Sequence, residues 1–325
     1  MRPISTFIIV FLCAVQLPAK TINKHIQKSF NVNEDTQFYL KHGDGEVEIT
    51  PWNKDVIDVD VVYRATFAGI HRLDPDDFEV EFEQRRDKIS VIGHEPRVIG
   101  FGGFRVSEYK YTIKAPVYVA LETEGVDGDV YIEERQDNIK SSNVDGDITI
   151  VDVDADYVNV SSVDGDLDLK SISADIECQT VDGSIELENL DNVHCKAKSV
   201  DGDINIKYGS GEFSTHAVDG DIALLRVSAI RLDAHTTDGS ITLDLNDVDE
   251  MECRIRTGDG DVRIQLEEGT STALKINTGD GRIRTNLSPI SNMQTDDNYF
   301  SGQINDGRGL IEVRTGDGNV EIVER

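Results

Sequence analysis

Val144-Asp145-Gly146-Asp147-Ile148-Thr149-Ile150 is followed, nineteen residues on, by Val163-Asp164-Gly165-Asp166-Leu167-Asp168-Leu169. The same turn and the same alternation keep returning. Asp-Gly pairs begin at Asp127, Asp145, Asp164, Asp182, Asp201, Asp219 and Asp238, in steps that alternate between 18 and 19 residues. Two steps of 21 then lead to Asp259 and Asp280, and one of 37 to Asp317. A clock of this kind is the mark of a solenoid, in which each unit buries its apolar face only against its neighbours.

Working outward from the turn, two apolar residues spaced by one follow each Gly: Ile148 and Ile150, Leu167 and Leu169, Ile185 and Leu187, Ile204 and Ile206. A second alternating segment precedes each turn, as in Val158 and Val160, Ile176 and Cys178, Leu232 and Ala234. A period of two is a strand with one buried face. The fold expected is therefore all-β: a parallel solenoid of the β-helix or β-roll kind with two strands per rung, and rungs about 4.8 Å apart. Glycine is expected at the turn for its access to positive φ, and the Asp before it as an acceptor for backbone N–H groups. Residues 120–325 make up the repeat domain, with an inserted loop at 286–308 long enough to fold over the C-terminal end. Residues 20–119 repeat the turn once, at Gly43-Asp44-Gly45. They otherwise read as longer strands and hairpins that cap the N-terminal end, where unpaired edges would invite aggregation.

Arg2 followed by the apolar run Ile4 to Leu17 reads as a signal peptide covering 1–19 and cleaved near Ala19, which implies export. That run is too short to span a bilayer, and no transmembrane segment is expected after it. The chain carries 62 acidic and 32 basic residues, a net charge of −30, which disfavours nucleic acid as a partner. Beyond the leader, Cys178, Cys195 and Cys253 are an odd number and no disulfide framework. The register places Cys178 and Cys195 two columns apart on adjacent rungs, and Cys195 three rungs from Cys253, so all three read as small buried hydrophobes.

The single early repeat, the stretch Pro51-Trp52-Asn53-Lys54-Asp55 and the run of Val-Asp-Gly-Asp-Ile turns resemble the bacterial "putative adhesin" domain of unknown function. The resemblance implies a solenoid at the bacterial surface and adhesion as its role, and it supplies no catalytic residues.

Candidate sites follow from the register. Asp145, Asp147, Asp164, Asp166, Asp201, Asp203, Asp219 and Asp221 would stand in columns of carboxylates that calcium could bridge. His216 and His235 share an outward column, and Asp233 lies two residues away on the same face, a set that could hold zinc or copper. Lys198, Arg256 and Arg314, with Lys196, Arg254 and Lys275 beside them, make one face less acidic, either as a solvated strand face or as a groove for a polyanion. Phe101 and Phe104, in a glycine-rich stretch, and Tyr299 and Phe300, in the insert, are candidate partner contacts. The function expected is a non-enzymatic, acidic scaffold of the cell envelope that binds protein or glycan. A calcium-stiffened rod and a polysaccharide-active enzyme are the alternatives, the latter by analogy of fold alone.

Overall fold

The computed structural model describes residues 20–71, 78–95 and 100–325. The expected leader over 1–19 and its expected cleavage near Ala19 lie outside the described residues. What is described is all β, with 24 strands in one continuous sheet.

The apolar alternation decides the stack. Ile148 lies beside Leu167, Leu167 beside Ile185, and Ile185 beside Ile204, all in parallel pairs. Each of these four side chains is fully buried. The column continues through Ile222, Ile241 and Val262. The two strands of a rung run as one bent segment of 13 or 14 residues, for example Ile148–Ser161 and Leu167–Gln179. The bend is made by one residue in the left-handed region: Glu134, Asp152, Ser171, Asn189, Tyr208 and Arg226 have φ between 49° and 58°. Between this corner and the second face the register shifts by one residue. Val153 lies beside Ile172 while Val158 lies beside Ile176, so one rung spends five residues where the next spends four. This corner absorbs the alternation of 18 and 19.

The other corner, the Asp-Gly turn, is built differently from the sequence expectation. Among its glycines Gly128 alone has a positive φ, at 118°. The rest are required by close approach, because a Cβ on Gly165, Gly183, Gly202, Gly220 or Gly239 would collide with the carbonyl oxygen of the glycine one rung below. The acceptor is the Asp after the glycine, not the one before it. Asp147 Oδ1 accepts the N–H of Asp166 at 2.8 Å, Asp166 Oδ1 that of Ser184 at 2.7 Å, and Asp203 Oδ1 that of Asp221 at 2.8 Å.

Chain order and stacking order part company at both ends. At the C-terminal end, Val320–Glu324 lies between Val262–Leu266 and Ile283–Thr285. Likewise Gly309–Thr315 lies between Glu252–Thr257 and Thr272–Asn277. The chain builds its outermost rung first and fills the gap behind it. The segment between becomes a hairpin, Ile290–Asp296 with Tyr299–Ile304, whose second strand pairs antiparallel with Thr272–Asn277. At the N-terminal end, Gln37–Lys41 lies between Lys88–His94 and Ala120–Glu124. Antiparallel strands then extend the sheet outward: Val56–His71 beside Gly100–Ala115, and Lys20–Asn31 beyond it. Beneath them Tyr63 stacks on Phe78 with centroids 4.2 Å apart, and Tyr109 meets both rings edge-on. A parallel stack thus ends in antiparallel pairs on each side, which leaves less parallel edge open to another chain.

Candidate functional site: the outward face of the second strand

Three outward columns run along the second strand of the rungs, and their charges differ in pattern. In the first, Glu212, Arg231 and Glu252 follow one another rung by rung. Arg231 lies 3.6 Å from Glu212 and 3.8 Å from Glu252. In the second, Asp233, Arg254, Glu312 and Lys275 alternate in the same way, with Lys275 3.3 Å from Glu312. In the third, Lys198, His216, His235, Arg256 and Arg314 are consecutive, and no acid interrupts them.

The His216 and His235 rings stack, with centroids 4.9 Å apart and planes 14° from parallel. Burial, then the neighbouring His216 and Arg256, lower the pKa of His235, against a weaker opposite pull from Asp233. Parallel rings turn their faces to each other and not their nitrogens. Among the described residues no group of three or more His, Cys, Asp or Glu is arranged to hold a metal. Arg314 forms an ion pair with Glu312 at 2.7 Å. The column continues past Arg314 to Asn277 and then Tyr299. The hairpin therefore carries a residue from the distant insert to the end of the histidine column, a juxtaposition that no local pattern announces.

The turn carboxylates divide into two sets. Asp147, Asp166, Asp203 and Asp221 are engaged by the N–H of the next rung. Asp145, Asp164, Asp201 and Asp219 are exposed, and their own N–H groups bond to the rung below, as Asp164 does to Val144 at 2.8 Å. The backbone of Phe101 and Phe104 pairs with Ile70 and Phe67. The placement of both side chains lies outside what is described. Phe300 is buried and packs in the core, which leaves Tyr299, half-buried, as the outward residue of that pair.

Sequence reasoning missed a buried hydroxyl column three residues before most of the turn glycines. Thr180 Oγ1 accepts the N–H of Gly183 at 3.2 Å and donates to the carbonyl of Gly165 at 3.2 Å. Ser162, Ser199, Thr236, Thr257 and Thr315 do the same. The signal was present as Ser/Thr-x-Asp-Gly, and it is hidden by Ala217 and by His42, which occupy the same place. The three cysteines are buried and free, in the registers expected. Burial pushes the Cys195 thiol up to about 12, so it is no nucleophile at neutral pH.

The profile of the Toastrack DUF4097 family matches twice, over residues 46–254 and 219–323. The chain belongs to this family. Two overlapping matches are what a repeating stack produces when its rungs resemble one another. Among solved structures, a putative adhesin from Parabacteroides distasonis is 15% identical, with 92% of this chain and 97% of that one covered at a TM-score of 0.42. A putative adhesin from Bacteroides fragilis is 16% identical, with 92% and 97% covered at a TM-score of 0.40. No curated protein matches the chain. Among the described residues of this Toastrack domain, no helix is long and apolar enough to cross a membrane.

Proposed function

We propose that this Toastrack protein is an exported, non-enzymatic scaffold that binds protein or glycan at the cell envelope. The observation that supports the reading is a division of labour within each rung. The turn's glycine, hydroxyl and second carboxylate serve the stack itself, as do the buried columns. The outward strand residues take no part in the core or the turns and form long, straight rows of side chains on a rigid support. Such rows suit a ligand that is itself extended. The test is to immobilise the secreted chain and pass envelope proteins and a glycan panel over it, while assaying the same glycans for cleavage. Saturable binding without new chain ends is expected. Release of new ends that is lost when one rung's acids are replaced would overturn the reading.

A calcium-stiffened rod is the second reading. It is supported by the exposed column of Asp145, Asp164, Asp201 and Asp219, which backbone N–H groups leave free while they occupy Asp147, Asp166, Asp203 and Asp221. Neighbouring carboxylates one rung apart repel by roughly 1–3.5 kcal/mol at effective dielectrics of 80 down to 20. Millimolar calcium is expected to raise the melting temperature more than magnesium at equal ionic strength. Equal shifts would reduce the effect to screening.

A further inference from the structure

Lys198, His216, His235, Arg256 and Arg314 stand one above another in a chain of net charge −30. Like charges directly opposite one another in a sheet destabilise it, and the two adjoining columns avoid that by alternation. Here the alternation stops. Among the described residues Arg314 alone of the five forms an ion pair. Lys198, His216 and Arg256 are exposed and His235 is half-buried. Apart from the Arg314–Glu312 pair and the pull of Asp233 on His235, nothing in the fold offsets this row, and an anion from outside would.

The spacing limits which anion that is. With both histidines protonated the row offers one cation per rung, about 4.8 Å. Duplex DNA carries one charge per about 1.7 Å, nearly three times too dense, and its second strand would meet Asp233 and Glu312 on one side and the turn carboxylates on the other. A linear polysaccharide of 1,4-linked uronic acids carries one carboxylate per sugar and advances by roughly one rung per sugar. At the far end, Asn277 and Tyr299 continue the row with an amide and an aromatic ring, groups that serve sugar hydroxyls and the apolar face of a pyranose.

We infer that this column binds an acidic polysaccharide of the polyuronate kind, laid along the solenoid axis with one carboxylate per rung. The inference rests on the binding role proposed above and names its ligand class. The row also carries a pH response. Lys198 and Arg256 flank the two histidines in the column, Asp233, Lys196 and Arg254 lie in the next column, and Asp219 and Asp238 lie in the turns. Burial and the neighbouring Arg256 oppose protonation of His235 in the free protein, and a bound carboxylate favours it. Binding therefore strengthens as pH falls toward 5.5, where a uronate is still ionised.

The test is titration of the intact secreted chain with an oligogalacturonate long enough to span the five residues, beside a neutral oligosaccharide of equal length, heparin and duplex DNA. Saturable binding of the oligogalacturonate is expected, with affinity rising about three- to tenfold from pH 7.5 to 5.5. Replacing Lys198→Gln and Arg256→Gln together should weaken it at least about tenfold. Lys207→Gln, on the other strand face, should leave it unchanged, and neither change should lower the melting temperature. Oligogalacturonate binding that is absent, or equal in the double variant, overturns the inference, as does tighter binding of heparin or DNA. If the double variant still binds envelope material as the parent does, the strip is wrong and the broader binding role stands. If neither protein binds envelope material, both fail.

Discussion

Gly165 rests directly on Gly146: the position a Cβ would take on Gly165 is already filled by the Gly146 carbonyl. The contact repeats up the stack, and it explains a residue whose backbone φ is ordinary. Gly165→Ala is expected to cost several kcal/mol, because two packed backbones must separate. Gly269 is the contrast. It has a φ of +83° and nothing within 4 Å of its missing Cβ. Gly269→Ala should cost only about 1 kcal/mol, from conformation alone. Denaturant unfolding of both variants separates contact from conformation, and equal losses would refute the distinction.

The hydroxyl column predicts one loss and one gain. Thr180→Val leaves the Gly183 N–H and the Gly165 carbonyl buried without Thr180 as partner, at a cost of about 1–3 kcal/mol. Ala217 is fully buried at the equivalent place on its own rung. Ala217→Ser should complete the column and raise stability by about 0.5–1.5 kcal/mol. Unfolding midpoints check both, and a destabilised Ala217→Ser would show that the space there is too tight.

At the opposite corner, Ser171 is exposed and held at a φ of 57°. Left-handed backbone costs a side-chain-bearing residue about 1–2 kcal/mol, part of which glycine returns as entropy in the unfolded chain. Ser171→Gly should therefore stabilise by about 0.5–1 kcal/mol, and Ser171→Val should destabilise. The two midpoints must move in opposite directions.

His42 holds the hydroxyl place in the earliest rung, 2% exposed, with the backbone of Gly43 and Gly45 beside its ring pulling only weakly against burial. Burial pushes its pKa down to about 4. The unfolded chain takes up this proton near the ordinary value of 6.5, while the folded chain refuses it until about 4. Stability from this group is therefore intact above pH 6.5 and falls by about 1.4 kcal/mol per pH unit between 6.5 and 4. His42→Thr should remove that slope. Melting curves across the window check it, and identical slopes in the two proteins would place the acid sensitivity elsewhere.

What the sequence alone determined is the buried strand faces and the place of the turn, which repeat over one rung. Ile148, Leu167, Ile185 and Ile204 declare their column by spacing, because a buried strand face and a fixed turn are local patterns. The likeness of the Val-Asp-Gly-Asp-Ile turns to a known domain family is legible for the same reason. Only the tertiary structure decided which rung lies beside which at the ends. Val320 sits between Val262 and Ile283 because strand pairing satisfies backbone groups without regard to chain order. The same freedom sets Tyr299 at the end of the His216 and His235 column and makes the glycine a matter of contact, since each depends on atoms from another rung that no single repeat contains.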